Sequence, residues 1–170
     1  MAKLARPRSL LVALSTCVIC VAAVLSPSAG AQTRASSGPS PNAQAQANLQ
    51  TALTGAATYY RSNDKSYGDL LKGIRGEDTG LSYDTANGSR RPGTISLGNA
   101  AQWVVLTAES PTNKDCWVIT AIRKKQKEKI TGQTKVGIYY GLIPRDGGGR
   151  RCAAHRSVSL KMSVTGFPTG

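Results

Sequence analysis

The sequence has few of the residues from which most catalytic and metal sites are built. It contains one histidine, His155, and 9 acidic residues against 22 lysines and arginines. A metal site needs several His, Cys or carboxylate ligands close together, and no such cluster is visible. A Gly-x-Ser-x-Gly elbow is absent, and the glycines at 147–149 are not followed by the Lys-Ser/Thr of a phosphate loop. The sequence therefore predicts no enzyme, no metal and no cofactor, with a secreted enzyme of unrecognised site as the weaker alternative.

Aromatic residues and acidic residues are both scarce, and this limits the core and sets the charge. Hydrophobic residues make up 40% of the 170 residues and aromatic residues 5%, which suits one domain with a modest core. The formal net charge is +13, which favours acidic partners such as nucleic acid, anionic lipid or cell-envelope polymers. The alternative is a basic surface that only keeps a secreted protein soluble.

Residues 1–31 have the pattern of a secretory signal peptide. Lys3, Arg6 and Arg8 precede an apolar run over 10–25, and Ala-Gly-Ala at 29–31 is a small-residue cleavage site. The run is short for a membrane span of about 20 residues. We therefore expect secretion with cleavage after Ala31, and retention as an N-terminal membrane anchor is the alternative. Residues 32–41 have the composition of a linker, and 42–170 form the expected globular domain.

Cysteine is also rare, and its placement predicts one disulfide. Cys17 and Cys20 lie inside the apolar run of the signal, so only Cys116 and Cys152 remain in the mature chain. Two cysteines in a secreted chain predict a single bridge between them. Two free thiols that serve as nucleophile or ligand are the alternative.

A helix is predicted at the start of the mature domain. Ser40 and Pro41 read as an N-cap followed by proline at the first helical position. Leu49, Leu53 and later apolar residues recur at helical spacing, and a polar Asn/Asp/Ser segment from residue 63 ends the pattern after five or six turns. A short second helical turn is predicted over 67–74.

Downstream of residue 80 the apolar period changes from helical to two. Strands are predicted near residues 81–83 and 95–98, then over 102–108, 116–122, 136–142 and 158–164. No helix-length apolar pattern interrupts the later strands, so the sheet is expected to be antiparallel. The predicted fold is α+β: one long helix packed on a four- to six-stranded antiparallel sheet and closed by one disulfide.

One basic segment is the candidate binding site. Its members fall within 123–129, where Glu128 is the one acidic residue, and they are Arg123, Lys124, Lys125, Lys127 and Lys129. If Cys116 and Cys152 are bonded, Arg150 and Arg151 approach the same region. A continuous basic patch would bind nucleic acid or another polyanion through charge and counterion release. The alternative is a lysine-rich hairpin that keeps the sheet edge soluble.

Two segments of the chain resemble type IV pilins and type II secretion pseudopilins. They are NLQTALTGAATYYRSNDKSYGDL, and CWVI followed by a basic loop, VGIYYG and Cys152. The resemblance covers roughly 42–152. It implies bacterial origin, a helix on a four-stranded antiparallel sheet, a structural or binding role at the cell surface, and pilus or secretion-system subunits as partners.

The N-terminal part departs from that family. The prepilin processing site, a glycine followed by an aromatic residue and a glutamate, is absent, and so is the continuous apolar helix that polymerises. Pro39 and Pro41 prevent one helix from running from the apolar segment into the domain. The sequence thus resembles a pilin head without its stalk.

Overall fold

The first helix, α1, spans Pro41–Ser62 and begins and ends where the sequence predicts. The Ser40 side chain accepts a hydrogen bond from the Ala43 amide at 3.2 Å, and Asn63 is the C-cap. The helix has 22 residues, a moderate length of about six turns. Its buried side is made of small residues and leucines: Ala45, Leu49, Ala52, Leu53, Gly55 and Ala56.

This arrangement comes from a computed structural model that describes residues 40–75, 80–85, 88–90, 93–144, 152–154 and 160–168. The predicted signal at 1–31 and all but the last two residues of the predicted linker lie outside this part of the chain. No helix within it is long and apolar enough to cross a membrane.

A five-residue helix, α2, spans Leu70–Ile74 and packs against α1. Its Gly73 lies directly under the ring of Tyr59, where a Cβ atom would overlap the ring carbons. The Tyr59 hydroxyl donates to the carbonyl of Gly68 at 2.7 Å, which fixes the ring over this turn. The predicted second helical turn over 67–74 is therefore present in shorter form.

Five strands form one sheet in the order β1-β2-β3-β4-β5. Their bounds are Ser82–Asp84, Thr94–Ala100, Trp103–Glu109, Cys116–Ile122 and Gly137–Ile143. From β2 to β5 each neighbouring pair is antiparallel, and β4 has the predicted bounds. The α+β architecture with one helix on a sheet is thus as expected.

The prediction of an antiparallel sheet was wrong for β1. This strand pairs parallel with β2, and Tyr83 lies opposite Ile95, so the sheet is mixed. Parallel neighbours are usually joined by a crossover of a dozen or more residues, whereas only the nine residues 85–93 lie between β1 and β2. Ser89, a described residue of this connection, forms an isolated antiparallel bridge with Cys152.

The strand predicted over 158–164 was also wrong in its described part. Residues 160–168, which we call the C-terminal strap, make one antiparallel bridge, between Ser163 and Tyr140. Leu160 and Met162 pack on one face of the sheet, whereas Phe167 packs on the other. The strap therefore passes across the edge of β5 from one face of the sheet to the other, and it does not pair along β5 as a strand.

Helix α1 covers one face of the sheet and contacts β2, β3 and β4. The core there includes Ile95, Leu97, Val104, Leu106, Trp117 and Ile119, all at most 2% exposed. The other face holds a second, smaller cluster of Val105, Val118, Ile122, Ile130 and Tyr139, covered by the β4–β5 loop and the strap. Both faces of the central strands are therefore buried, as their continuous apolar sequence indicates.

Cys116 and Cys152 are joined in a disulfide, as predicted. The bond ties the first residue of β4 to a segment that lies on the second face of the sheet. The carbonyl of Cys152 accepts hydrogen bonds from the Thr107 hydroxyl at 2.8 Å and the Ser89 amide at 2.9 Å. These bonds satisfy polar groups that would otherwise be costly to bury.

Candidate binding surfaces

The predicted basic segment continues into a folded loop between β4 and β5, which we call the lysine loop, residues 124–135. Ile130 and Thr131 are each 1% exposed and anchor the loop to the second face of the sheet. The hydroxyls of Thr131 and Thr120 are 2.7 Å apart, and the Gln126 amide donates to the Thr134 carbonyl at 2.9 Å. The loop is thus held at its middle and across its base.

The lysine side chains of this loop are exposed to solvent: Lys124, Lys125, Lys127, Lys129 and Lys135. Two other lysines are paired outside the lysine loop, Lys72 with Asp69 at 3.7 Å and Lys114 with Glu109 at 3.4 Å. Four of the five lysines belong to the predicted binding set, so the structure presents most of that set on one ordered loop.

Arg123 belongs to the same predicted set, but its side chain is held away from the lysine loop. Its Nε donates to the Tyr67 hydroxyl at 2.8 Å. Its guanidinium carbon lies 5.5 Å from the ring centroid of Tyr60 and 6.0 Å from that of Tyr67. Arg123 is therefore part of an aromatic cluster at the end of α1, with cation–π contacts to two rings.

Tyr67 is fully buried in this cluster and tied into the sheet. Its amide donates to the carbonyl of Ala101 at 2.9 Å, and its own carbonyl accepts from the Asn99 side chain. Burial raises the pKa of the Tyr67 hydroxyl above its ordinary value, and the hydrogen bond and charge of Arg123 oppose this rise only in part. The hydroxyl therefore stays neutral and accepts the Arg123 hydrogen bond.

Beside this cluster, α1 and β5 form an open groove with a volume of about 450 Å³. Its floor is apolar and its rim carries two arginines; the lining residues are Leu53, Thr54, Ala57, Tyr60, Arg61, Arg123 and Ile138. The groove exists because α1 lies over β2 to β4 and leaves the first residues of β5 uncovered.

The remaining predicted binding residues, Arg150 and Arg151, lie outside the described residues, as does His155. Within the described ranges, no group of three or more His, Cys, Asp or Glu side chains is close enough to hold a metal ion. Neither the family models, nor the curated proteins, nor the solved structures include a match to this chain. The pilin resemblance and the function of the basic segment therefore remain proposals.

Sequence reasoning missed the groove and the separation of Arg123 from the lysines. The sequence did contain a signal that Arg123 is separate from the lysines, namely the alternation of β4. In this strand Trp117, Ile119 and Ala121 point to the helix side. Two residues further, Arg123 continues that register and points to the same side. The groove had no local signal, because it depends on where α1 ends relative to β5.

Proposed function

We propose that this protein is an exported, non-enzymatic domain that binds anionic polymers through the lysine loop. The observation that supports this proposal is the anchored loop itself, in which Ile130 and Thr131 are buried while the lysines are exposed. A loop fixed in this way presents its charges without first having to be ordered, so the entropic cost of binding is low.

The chemistry of the lysine loop favours recognition of charge over recognition of bases. Lysines neutralise phosphate or sulfate groups and release counterions, which gives strong salt dependence and little sequence preference. Tyr139 and Tyr140 are the aromatic residues nearest in sequence to the lysine loop, so they are the candidates for stacking on single-stranded bases. Tyr139 is 7% exposed, and the Tyr140 ring packs edge-on against Phe167 at 5.1 Å. Neither ring is presented for stacking, so duplex nucleic acid and anionic envelope polymers are the preferred ligands.

The test is a titration of the purified protein against fluorescent duplex DNA and against heparin, a model envelope polyanion. The test variant carries Gln at Lys124, Lys125, Lys127 and Lys129. We expect wild-type binding at about 50 mM salt to weaken strongly at about 200 mM, and we expect the variant to lose most of its affinity at the lower salt concentration.

The matched control removes the same number of charges elsewhere on the described surface. It carries Gln at Lys65, Lys72, Arg75 and Arg90, all of them exposed. If affinity follows net charge alone, both variants weaken equally and the lysine loop is not the binding site. If the wild type binds neither polymer at low salt, the proposed function is wrong.

A pilin-like role is the second candidate function. The observation that favours it is the combination of α1 packed on the sheet with a disulfide that closes the C-terminal region. In this case the partners are pilus or secretion-system subunits at the cell surface. A gel shift with duplex DNA at two salt concentrations separates the two candidates, and unchanged mobility at low salt would leave only the pilin-like role. The intact mass of the exported protein separately tests cleavage after Ala31, because retention of 1–31 would mean an anchored protein.

A further inference from the structure

We propose that the groove between α1 and β5 binds an acidic segment of a partner protein, with an aliphatic side chain next to a carboxylate. The groove lies on the helix side of the sheet, whereas the lysine loop is anchored to the other side. The two surfaces therefore serve different ligands, and this proposal does not depend on polyanion binding by the loop.

Arg123 provides a guanidinium that is already oriented for a carboxylate. Its stem is fixed by the Nε hydrogen bond to Tyr67, and its plane is placed against the ring of Tyr60. Arg123 lines the groove, and within the described part of the chain the hydrogen bond of its guanidinium group is the Nε bond to Tyr67. Such a guanidinium fork binds a carboxylate with two parallel hydrogen bonds and loses little entropy on binding.

The floor of the groove selects for an aliphatic neighbour of that carboxylate. It is formed by Leu53, Ala57 and Ile138 with the ring of Tyr60. Leu53 is 8% exposed, and Ala57 and Ile138 are half-buried, so a bound side chain would remove apolar surface from water. The aliphatic floor suits Leu or Val better than a nucleic acid base, which would need a free aromatic face.

The charge of the rim excludes a second copy of this chain as the favoured occupant. Arg61 and Arg123 are the charged residues of the lining, and no carboxylate is among the lining residues. In a symmetric dimer through this groove the two rim arginines of one copy would face those of the other, so the surface repels itself. An acidic segment is the occupant with complementary charge.

Fluorescence polarisation tests this proposal with a labelled ten-residue peptide that contains two leucines among glutamates and serines. The test variant is Ala57→Glu, which places a carboxylate in the groove. The new side chain would lie one helical turn before Arg61, and a Glu–Arg pair at this spacing stabilises a helix, so the fold should be kept. We expect the wild type to bind the peptide and Ala57→Glu to weaken binding at least about tenfold. Arg123→Lys keeps the charge but loses the paired N–H donors of the guanidinium, and we expect the affinity for the peptide to fall about five- to tenfold.

The matched control is Ala47→Glu, which adds the same charge at an exposed position of the same helix away from the groove. It should bind the peptide within about twofold of the wild type, and both Glu variants should keep wild-type affinity for heparin. The proposal is overturned if the wild type does not bind the peptide up to about 1 mM. It is also overturned if Ala47→Glu weakens binding as much as Ala57→Glu, if a peptide with lysines for glutamates binds equally well, or if duplex DNA displaces the peptide competitively.

Discussion

At the scale of single residues, Arg123 shows how strand register decides the role of a charge. In the sequence it is the first of five basic residues in a row broken only by Gln126 and Glu128. In the fold it continues the alternation of β4 and points toward Tyr60 and Tyr67, while the lysines that follow remain in solvent. Composition identifies the basic segment, but only the position of the strand end separates the structural arginine from the exposed lysines.

Tyr67 gives a prediction about stability at alkaline pH. Its pKa is raised in the folded protein, so the folded state holds its proton more tightly than the unfolded state does. The contribution of the protonated Tyr67 hydroxyl to the free energy of unfolding is complete below the ordinary tyrosine pKa of about 10. It is lost as the pH rises through the raised pKa of the folded state. Urea unfolding at pH 8 and pH 11 should show a smaller loss of stability in Tyr67→Phe than in the wild type.

The same variant should lower the free energy of unfolding at neutral pH by about 1–3 kcal/mol, because Arg123 loses its charged hydrogen bond. Tyr140→Phe is the control, since Tyr140 lies on the edge strand away from Arg123. It should retain the alkaline loss seen in the wild type. An unchanged alkaline loss in Tyr67→Phe would show that other groups are responsible for it.

At the scale of elements, two glycines at the contact between α1 and α2 have opposite expected roles. A Cβ at Gly73 would overlap the Tyr59 ring, whereas a Cβ at Gly55 would meet the Ile74 side chain at 3.4 Å, close to normal contact. Gly73→Ala should therefore destabilise the protein by about 1–3 kcal/mol through overpacking. Gly55→Ala should be neutral or stabilising by up to about 1 kcal/mol, because alanine favours the helix.

Thermal or urea unfolding of the two variants tests this prediction with matched chemistry, since each change adds one methyl group to a helix. Equal effects of the two substitutions would contradict the packing described for α2. The sequence alone places both glycines in or near predicted helices. It does not show which one faces an aromatic ring, because that depends on the path of 63–69.

Much of the secondary structure could be predicted because its signals are local. The Ser40–Pro41 cap, the apolar spacing of α1 and the continuous apolar run of β4 are each contained in one segment. The direction of β1 and the path of the strap could not be predicted in this way. Both depend on contacts between distant parts of the chain, namely Ser89 with Cys152 and Phe167 with Trp117.

At the scale of the whole molecule, the disulfide joins the first residue of β4 to the segment 152–154, which packs on the second face of the sheet. Cys116 and Cys152 are 36 residues apart, and a loop of that length corresponds to about 4 kcal/mol in the chain-entropy estimate. We expect the double substitution to serine to lower the free energy of unfolding by about 2–4 kcal/mol. Reduction of the wild type should reproduce this loss, and the double variant should be insensitive to reductant. A loss below about 1 kcal/mol would mean that the hydrogen bonds of Cys152 hold the segment without the bond.

The charge of the whole chain could be read from composition, but its distribution could not. A net charge of +13 predicts attraction to any polyanion and does not name a surface. The structure adds that Lys124, Lys125, Lys127 and Lys129 share one anchored loop, and that Arg123 does not. The proposed function therefore depends on the loop as a unit.

The salt dependence of duplex DNA binding tests most directly whether the lysine loop acts as one binding site. Each phosphate contact contributes about −0.9 to the slope of log binding constant against log salt concentration. If the four lysines of the loop contact phosphates, their replacement by glutamine should reduce the magnitude of the slope by about 3–4. The control variant at Lys65, Lys72, Arg75 and Arg90 should keep the wild-type slope. An equal slope in the wild type and the lysine-loop variant would contradict the account.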